Sequence, residues 1–338
     1  MANKRIFYLD ELRAIAIFAV ILCHVANIYP YLTTSIKTAI PYFCSDLGRI
    51  GVPIFFMLSG ALLLNREYDL GSFFNRRFKR ILIPFIFWVI VTSILKFTVF
   101  GDNVHQIVAW CLGNPGLTWY IWELIGVYFF IPVVNSFVRE YGMKGVKYYL
   151  ALWLVTVLFK TFHIELLAHL NLDLFTGYIG MMLLGYYVVN RDFKLSNRSL
   201  MLLSVIAFIC SYIYNIKYSL ATGKTVEYLY LSMIIQSLSV FIFIQAIDRN
   251  TKLNPGAITS KIHSFIENSK VGLWLTSISI CSYGMYYTHY IICQVFKLYH
   301  IKSLKLIPIL WIITVICSWL ITLLLSKIPV LDNISGVK

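Results

Sequence analysis

The chain has 338 residues, of which 59% are apolar or aromatic and 13% charged, and its mean hydropathy is +0.76. Soluble domains carry charge on about a quarter of their residues, so these values exclude a disordered chain, a collagen-like fibre, a disulfide-stapled secreted domain and an ordinary cytosolic enzyme; they point to a membrane protein. The 29 Lys and Arg against 15 Asp and Glu leave a net charge of +14, which in such a chain belongs on cytoplasmic loops and at any site for an anionic cosubstrate, with no nucleic-acid partner expected.

A spanning helix needs about 20 mainly apolar residues. In chain order ten segments qualify: 12–30, 46–65, 81–100, 118–137, 148–166, 174–190, 199–217, 228–247, 272–296 and 306–326. The stretches 97–117 and 160–175 read as short re-entrant or interfacial pieces. Ten spans put both ends on one side. If that side is the cytoplasm, 20 of the 29 Lys and Arg fall in cytoplasmic connections and ends and 9 on the other side, the asymmetry that sets orientation in membranes. The expected fold class is therefore all-α, a polytopic helical bundle of about ten transmembrane helices with cytoplasmic N- and C-termini. No connection is long enough for a soluble domain and no repeat is visible, so residues 1–338 read as a single integral-membrane domain with the lipid bilayer as its first partner. No cleavable signal is expected, because the first apolar run carries Arg13 and His24 and lacks a small-residue cleavage site. The seven cysteines lie singly, mostly in apolar stretches, and read as small core hydrophobes.

Within these segments a few polar residues stand out. The first, YLDELRAIAIFAVILCH, contains Asp10, Arg13 and His24. Eleven helical residues return to within about 20° of the starting face and rise about 16 Å, so Arg13 at the rim and His24 at depth share a face. Ionisable groups at such depth normally meet a cavity or a partner; the structural alternative is a hydrogen-bonded core histidine and an interface-anchoring arginine. The second segment, GVPIFFMLSGALLL, contributes Ser59 and Gly60, readable as site or as small packing residues. FNRRFKRILIP follows, and on a helix Arg77 and Arg80, with Arg76 beside them, can grip phosphates bidentately or act as positive-inside anchors.

In LTWYIWELIGVYFFIP, Glu123 falls about 8 Å in from the outer end, a level comparable with His24, where a carboxylate could fix an imidazole tautomer; Tyr120 and its tryptophan neighbours read as an outer aromatic belt or as site. In SICSYGMYYTHY, Tyr283 and His289 again lie within the membrane, and two buried histidines with a glutamate argue for a polar chamber. His105, His163, His169, His263 and His300 fall in loops or at helix ends without ligand spacing, so no metal is expected.

In this order the segments resemble the acyltransferase-3 family of membrane O-acyltransferases. LDELRAIAIFAVILCH is similar to its Arg-x10-His signature, GVPIFFMLSGALLL to its FFxLSG element and RRFKRILIP to its Arg-x-x-Arg-x-x-x-Pro stretch through Arg77, Arg80 and Pro84, while TWYIWELIGVYFFIP, YIGMMLLGYYV and SYGMYYTH are similar to later segments. Pro53 stands where many members have an acidic residue, and Glu11 where many have glycine. The resemblance implies transfer of acetyl or another short acyl group from cytosolic acetyl-CoA to a hydroxyl of an envelope polysaccharide or lipid-linked glycan, in a bacterial plasma (inner) membrane. It also implies essential roles for Arg13 and His24, with Arg77 and Arg80 toward the cofactor. The chain resembles the stand-alone members that lack an extracytoplasmic hydrolase-like domain, and a homo-oligomer is left open.

The mechanism expected from these residues has the diphosphate of acetyl-CoA against Arg76, Arg77 and Arg80 and the pantetheine arm passing Arg13 and Asp10. His24, oriented by Glu123 or another acceptor, acts as general base, with Ser59, Tyr283, His289 or Tyr120 supporting the oxyanion or sugar. A covalent acyl-enzyme is the competing chemistry. The alternative function is a lipid-linked sugar flippase or polysaccharide exporter, which predicts duplicated halves and broken helices in corresponding positions.

Overall fold

The computed structural model describes residues 5–30, 39–113, 116–164, 172–301, 303–329 and 331–337. His169 and much of the 160–175 stretch lie outside the described residues. Among the described residues there is no strand, and the chain is an all-α, polytopic membrane protein. The longer elements are α1 (Phe7–Ala26), α2 (Ile40–Gly48), α3 (Gly51–Leu63), α4 (Leu70–Thr98), α5 (Val104–Cys111), α6 (Trp119–Thr161), α7 (Tyr178–Asn190), α8 (Asn197–Thr222), α9 (Leu231–Leu253), α10 (Ile258–Glu267), α11 (Lys270–Leu298) and α12 (Ile307–Ser326), followed by the single turn α13 (Asp332–Ser335).

Among the described residues six spans are long and apolar enough to cross a membrane: Ile40–Leu63, Leu70–Thr98, Trp119–Thr161, Asn197–Thr222, Leu231–Leu253 and Leu304–Ser326. The ten predicted segments all overlap helix, and 118–137 and 148–166 belong to two helices within Trp119–Thr161 that meet at Gly142, with φ 54° and ψ −145°. A Cβ is unfavourable at such angles, so glycine there permits a kink without a linker. The 97–117 stretch contains the short helix α5, started by a reciprocal capping box between Asn103 and Gln106.

Polarity runs inside out, which is the physical sign of a lipid environment. On α12, Thr314, Ser318 and Thr322 are fully buried while Ile309, Ile312 and Ile316 are exposed. Thr314 and Thr322 answer their hydroxyls with carbonyls four residues back, Leu310 at 2.6 Å and Ser318 at 2.8 Å. On α8 the buried set is Ser204, Ser211, Asn215 and Ser219, and the exposed set includes Leu202, Ile206, Ile209 and Ile213. In hydrocarbon the polar groups turn to other helices and the aliphatic ones to acyl chains. Cys210, on the outward face of α8, is exposed rather than in the core; Cys23, Cys281 and Cys293 are buried.

The chain forms two compact units, Met1–Leu64 with Glu140–Ser279, and Asn65–Arg139 with Ile280–Lys338. In the first, small residues let helices approach to backbone contact. A Cβ on Gly48 would lie 2.4 Å from the Ala19 carbonyl and 2.6 Å from the Cys23 amide, and one on Gly51 2.4 Å from the Ala16 carbonyl, so the α2–α3 junction is pressed against α1. Helices α3 and α7 pack through Gly60 and Gly185, where a Cβ would lie 1.7 Å from the Met182 carbonyl and 2.0 Å from the Met57 carbonyl. Leu9, Leu12, Ile54, Met57, Val188, Met233 and Phe241 fill the adjoining core.

In the second unit, α4 begins on an Asp69 cap that accepts from the Ser72 amide at 2.8 Å. The α13 turn lies against α11, with Ser335 O 2.0 Å from where a Gly284 Cβ would stand, and Trp88 donates to the Ile334 carbonyl at 3.2 Å. Asn135 on α6 closes the 64–69 loop by two hydrogen bonds to the Arg66 backbone, at 2.9 and 3.2 Å.

The Gly60/Gly185 contact yields a stability test. Gly185→Ala is expected to destabilise the protein by about 1–3 kcal/mol through overpacking against backbone that cannot yield, read as a lower unfolding midpoint in detergent. The control Gly126→Ala, at an exposed position with open space around it, is expected to leave the midpoint unchanged or slightly raised.

Candidate functional site

In the first unit, the predicted pair sits on one unbroken helix, with Arg13 two turns into α1 and His24 in its last turn. Asp10 is buried, and its carboxylate is gripped by Arg5, through a close Nε contact and an Nη2 bond of 3.0 Å, and accepts from the Ser279 hydroxyl at 2.6 Å. Arg13 Nη1 donates to the Ser279 oxygen at 3.2 Å and stands 3.8 Å from Asp10 Oδ1. Asp10, placed on the cofactor by sequence reasoning, thus sits between two guanidiniums and holds Arg13. Arg13 stays 29% exposed at its side chain, enough to meet a ligand while its direction is set. Arg5 and Ser279 were not singled out from the sequence: Arg5 counted only as an orienting charge, and Ser279 lies 269 residues from Asp10.

Glu11 faces elsewhere. Its carboxylate lies 2.9 Å from His263 Nε2, with both residues buried and the imidazole 5.8 Å, ring to ring, from Phe7. The glutamate that replaces a common glycine therefore has a partner on α10, and His263, set aside as a loop histidine, is tied into the base of α1. The Glu11 hydrogen bond pushes the His263 imidazole above its ordinary value, against the opposing effect of burial.

At the other end of α1, His24 is half-buried and has Arg49 as a charged neighbour. Arg49 lies over the Tyr228 ring at 4.1 Å from its centroid. Asp46 is fully buried and accepts from Ser219 Oγ at 2.7 Å. Cys23 Sγ, Ser45 Oγ and Asn27 close the same corner through contacts of 3.4 to 4.0 Å. Sequence reasoning assigned Arg49 to an outer loop; the signal available was its place between Gly48 and Gly51, whose contacts fold it back onto α1. Ser59 donates to the Phe55 carbonyl at 3.0 Å beside the tightly packed Gly60.

In the second unit α4 is helical through residues 70–98, so Arg77 and Arg80 do share a face, with Arg76 close enough to repel both. Arg76 and Arg80 are exposed and Arg77 is half-buried. Arg76 bonds back to Ser72 at 3.1 and 3.3 Å. Next to this cluster burial pushes the Tyr68 phenol up to about 12, partly opposed by Arg139 and Arg77. Three cations on one helical stretch, without a carboxylate bonded to any of them among the described residues, suit a polyanionic ligand.

The remaining predicted residues also lie in the second unit. Glu123 is exposed on α6 and makes no hydrogen bond or ion pair among the described residues. Tyr120 is buried against Tyr286, 5.0 Å between centroids. Tyr283 donates to the Ile81 carbonyl at 2.9 Å and accepts from the Tyr287 hydroxyl at 2.6 Å, which commits its oxygen to joining α4 and α11. His289, fully buried, donates from Nδ1 to the Met285 carbonyl at 2.9 Å, so its neutral ring carries the proton on Nδ1. Among the described residues no group of His, Cys, Asp and Glu has the arrangement of a metal site.

An arginine held by a buried carboxylate and a half-buried imidazole lie on one helix, and an arginine triplet opens another. The acyltransferase-domain model of the acyltransferase-3 family matches residues 6–326, and the chain belongs to that family. No curated protein and no solved structure matches it.

The Glu11–His263 pair gives a pH signature. His263 binds its proton more tightly in the folded protein, so the pair stabilises fully below pH about 6.5, the unfolded value, and the contribution fades as pH rises through the higher folded value. His263→Gln is expected to cost about 1–3 kcal/mol at acid pH and to flatten this part of the dependence of unfolding midpoint on pH, measured in detergent between pH 5.5 and 9.

Proposed function

We propose that this acyltransferase moves an acetyl or other short acyl group from cytosolic acyl-CoA to a hydroxyl of an envelope polysaccharide or lipid-linked glycan. In this reading it lies in a bacterial plasma membrane as one domain of ten spans with both termini in the cytoplasm. The observation that carries it is α1: one helix holds an arginine fixed by Asp10 and Ser279 and, eleven residues on, a half-buried histidine.

In this mechanism His24 takes the proton of the acceptor hydroxyl as that oxygen attacks the thioester carbonyl. The new C–O bond forms, the C–S bond breaks, and the proton on His24 passes to the departing thiolate. Arg13, held by Asp10 and Ser279, meets the amide and phosphate oxygens of the donor. Arg76, Arg77 and Arg80 bind its diphosphate and 3′-phosphate by charge-assisted hydrogen bonds. Asp10 acts as a positioning residue for Arg13, and no metal is needed for this proton bookkeeping.

Membranes containing the protein, given labelled acetyl-CoA and a lipid-linked or polymeric glycan extract, are expected to put label into an alkali-labile ester. His24→Ala is expected to lower transfer by about 10²- to 10⁴-fold while the protein still accumulates; transfer at the wild-type rate in this variant removes His24 from the chemistry. Arg77→Ala/Arg80→Ala is expected to raise KM for acyl-CoA by about ten- to a hundredfold, the loss of one or two charge-assisted bonds. Sugar export without acyl transfer would replace the enzyme reading with that of a transporter.

A further inference from the structure

The corner around His24 contains charged residues that this mechanism leaves unused. Arg49 caps α2, its amide bonded to the Ser45 carbonyl at 2.9 Å. It is held between two glycines that touch the backbone of α1 at Ala16, Ala19 and Cys23. Cys23 immediately precedes His24, so the junction cannot move away from the histidine without opening the tightest contact in this part of the unit. The guanidinium lies on Tyr228, 4.1 Å from the ring centroid, and a stacked planar cation keeps its edge N–H donors in the ring plane and directed sideways. Its charge acts on Cys23, His24 and Asp46.

Asp46 is three residues before Arg49. It is fully buried and takes hydrogen bonds from Ser219 Oγ at 2.7 Å and the Val226 amide, while its Oδ1 has no hydrogen-bond partner among the described residues. The charges of Asp46 and Arg49 attract across this corner, while the guanidinium itself is seated on Tyr228.

A half-buried, directed cation beside a general base stands where negative charge arises during acyl transfer. We propose that Arg49 is a second catalytic residue: its guanidinium donates to the acyl carbonyl oxygen as that oxygen becomes an oxyanion, with Tyr228 as its positioning residue. This rests on the acyl-transfer reading above. The electron pair of the acceptor oxygen enters the carbonyl carbon, the carbonyl π pair moves onto the oxygen facing Arg49, and its return expels the thiolate, which takes the proton held by His24. Because the donor is needed most after the attack has begun, its removal should slow turnover more than it weakens binding.

Steady-state kinetics on wild type, Arg49→Gln and Arg49→Lys, with acyl-CoA and glycan varied separately, test this. Arg49→Gln is expected to lower kcat by about 10²- to 10³-fold with either KM changed by less than about threefold. Arg49→Lys is expected to recover at least about tenfold of the loss. Equal unfolding midpoints for wild type and both Arg49 variants are part of the expected result. Unchanged kcat in Arg49→Gln, a rise confined to the KM of the glycan, or a kcat loss matched by a lowered midpoint and not recovered by lysine would each overturn the proposal. Wild-type membranes separate the two claims: transfer that persists in Arg49→Gln removes only this one, whereas no transfer by wild type removes the reading beneath it.

Discussion

Hydrocarbon leaves a polar group nowhere to go but another part of the protein, and most of what is distinctive here follows from that. The backbone is helical because only helices answer their own amides and carbonyls. Ser211 of α8 and Thr314, Ser318 and Thr322 of α12 turn inward and bond to carbonyls one turn back. Asp10, Glu11 and Arg13 of α1 each acquire a specific partner, which in turn fixes where their functional groups point.

Helix α1 shows how this constraint builds a site. Its first two turns carry Asp10, Glu11 and Arg13, three charges that would be costly at a membrane boundary without partners. Asp10 is answered by Arg5, Ser279 and Arg13, and Glu11 by His263. The two carboxylates point away from each other because neighbouring helical residues do. The same helix therefore presents one arginine held in a fixed direction and is itself locked at its base to α10. At the far end, the glycines that flank Arg49 bring the α2–α3 junction against α1, so a charge that reads as a loop residue is carried to the histidine.

Three other predicted site residues share a property: each makes a hydrogen bond within the protein that sets its direction. Ser59 bonds one turn back, Tyr283 bridges to α4 and accepts from Tyr287, and His289 bonds the Met285 carbonyl. A buried hydroxyl or imidazole in a span signals that something answers it, and the nearest answer is often the preceding turn. Glu123 differs in the opposite sense, being exposed on α6. Residue type and depth were legible for all four; the direction of each side chain, which separates framework from chemistry, was not.

From the sequence alone came the membrane class, the helical composition, the family and the pairing of Arg13 with His24 on one helix face. Each rests on local quantities: composition, length, and the fixed rise and turn of an α-helix. The spacing of Arg77 and Arg80 was legible for the same reason. Tertiary structure decided that two helices meet at Gly142, that Ser279 and Arg5 hold Asp10, that His263 answers Glu11, and that Arg49 lies beside His24. Those partners are separated along the chain by intervals with no periodicity, and they meet because glycines allow particular helix backbones to touch; the choice of backbones is a property of the packed unit and not of any segment within it.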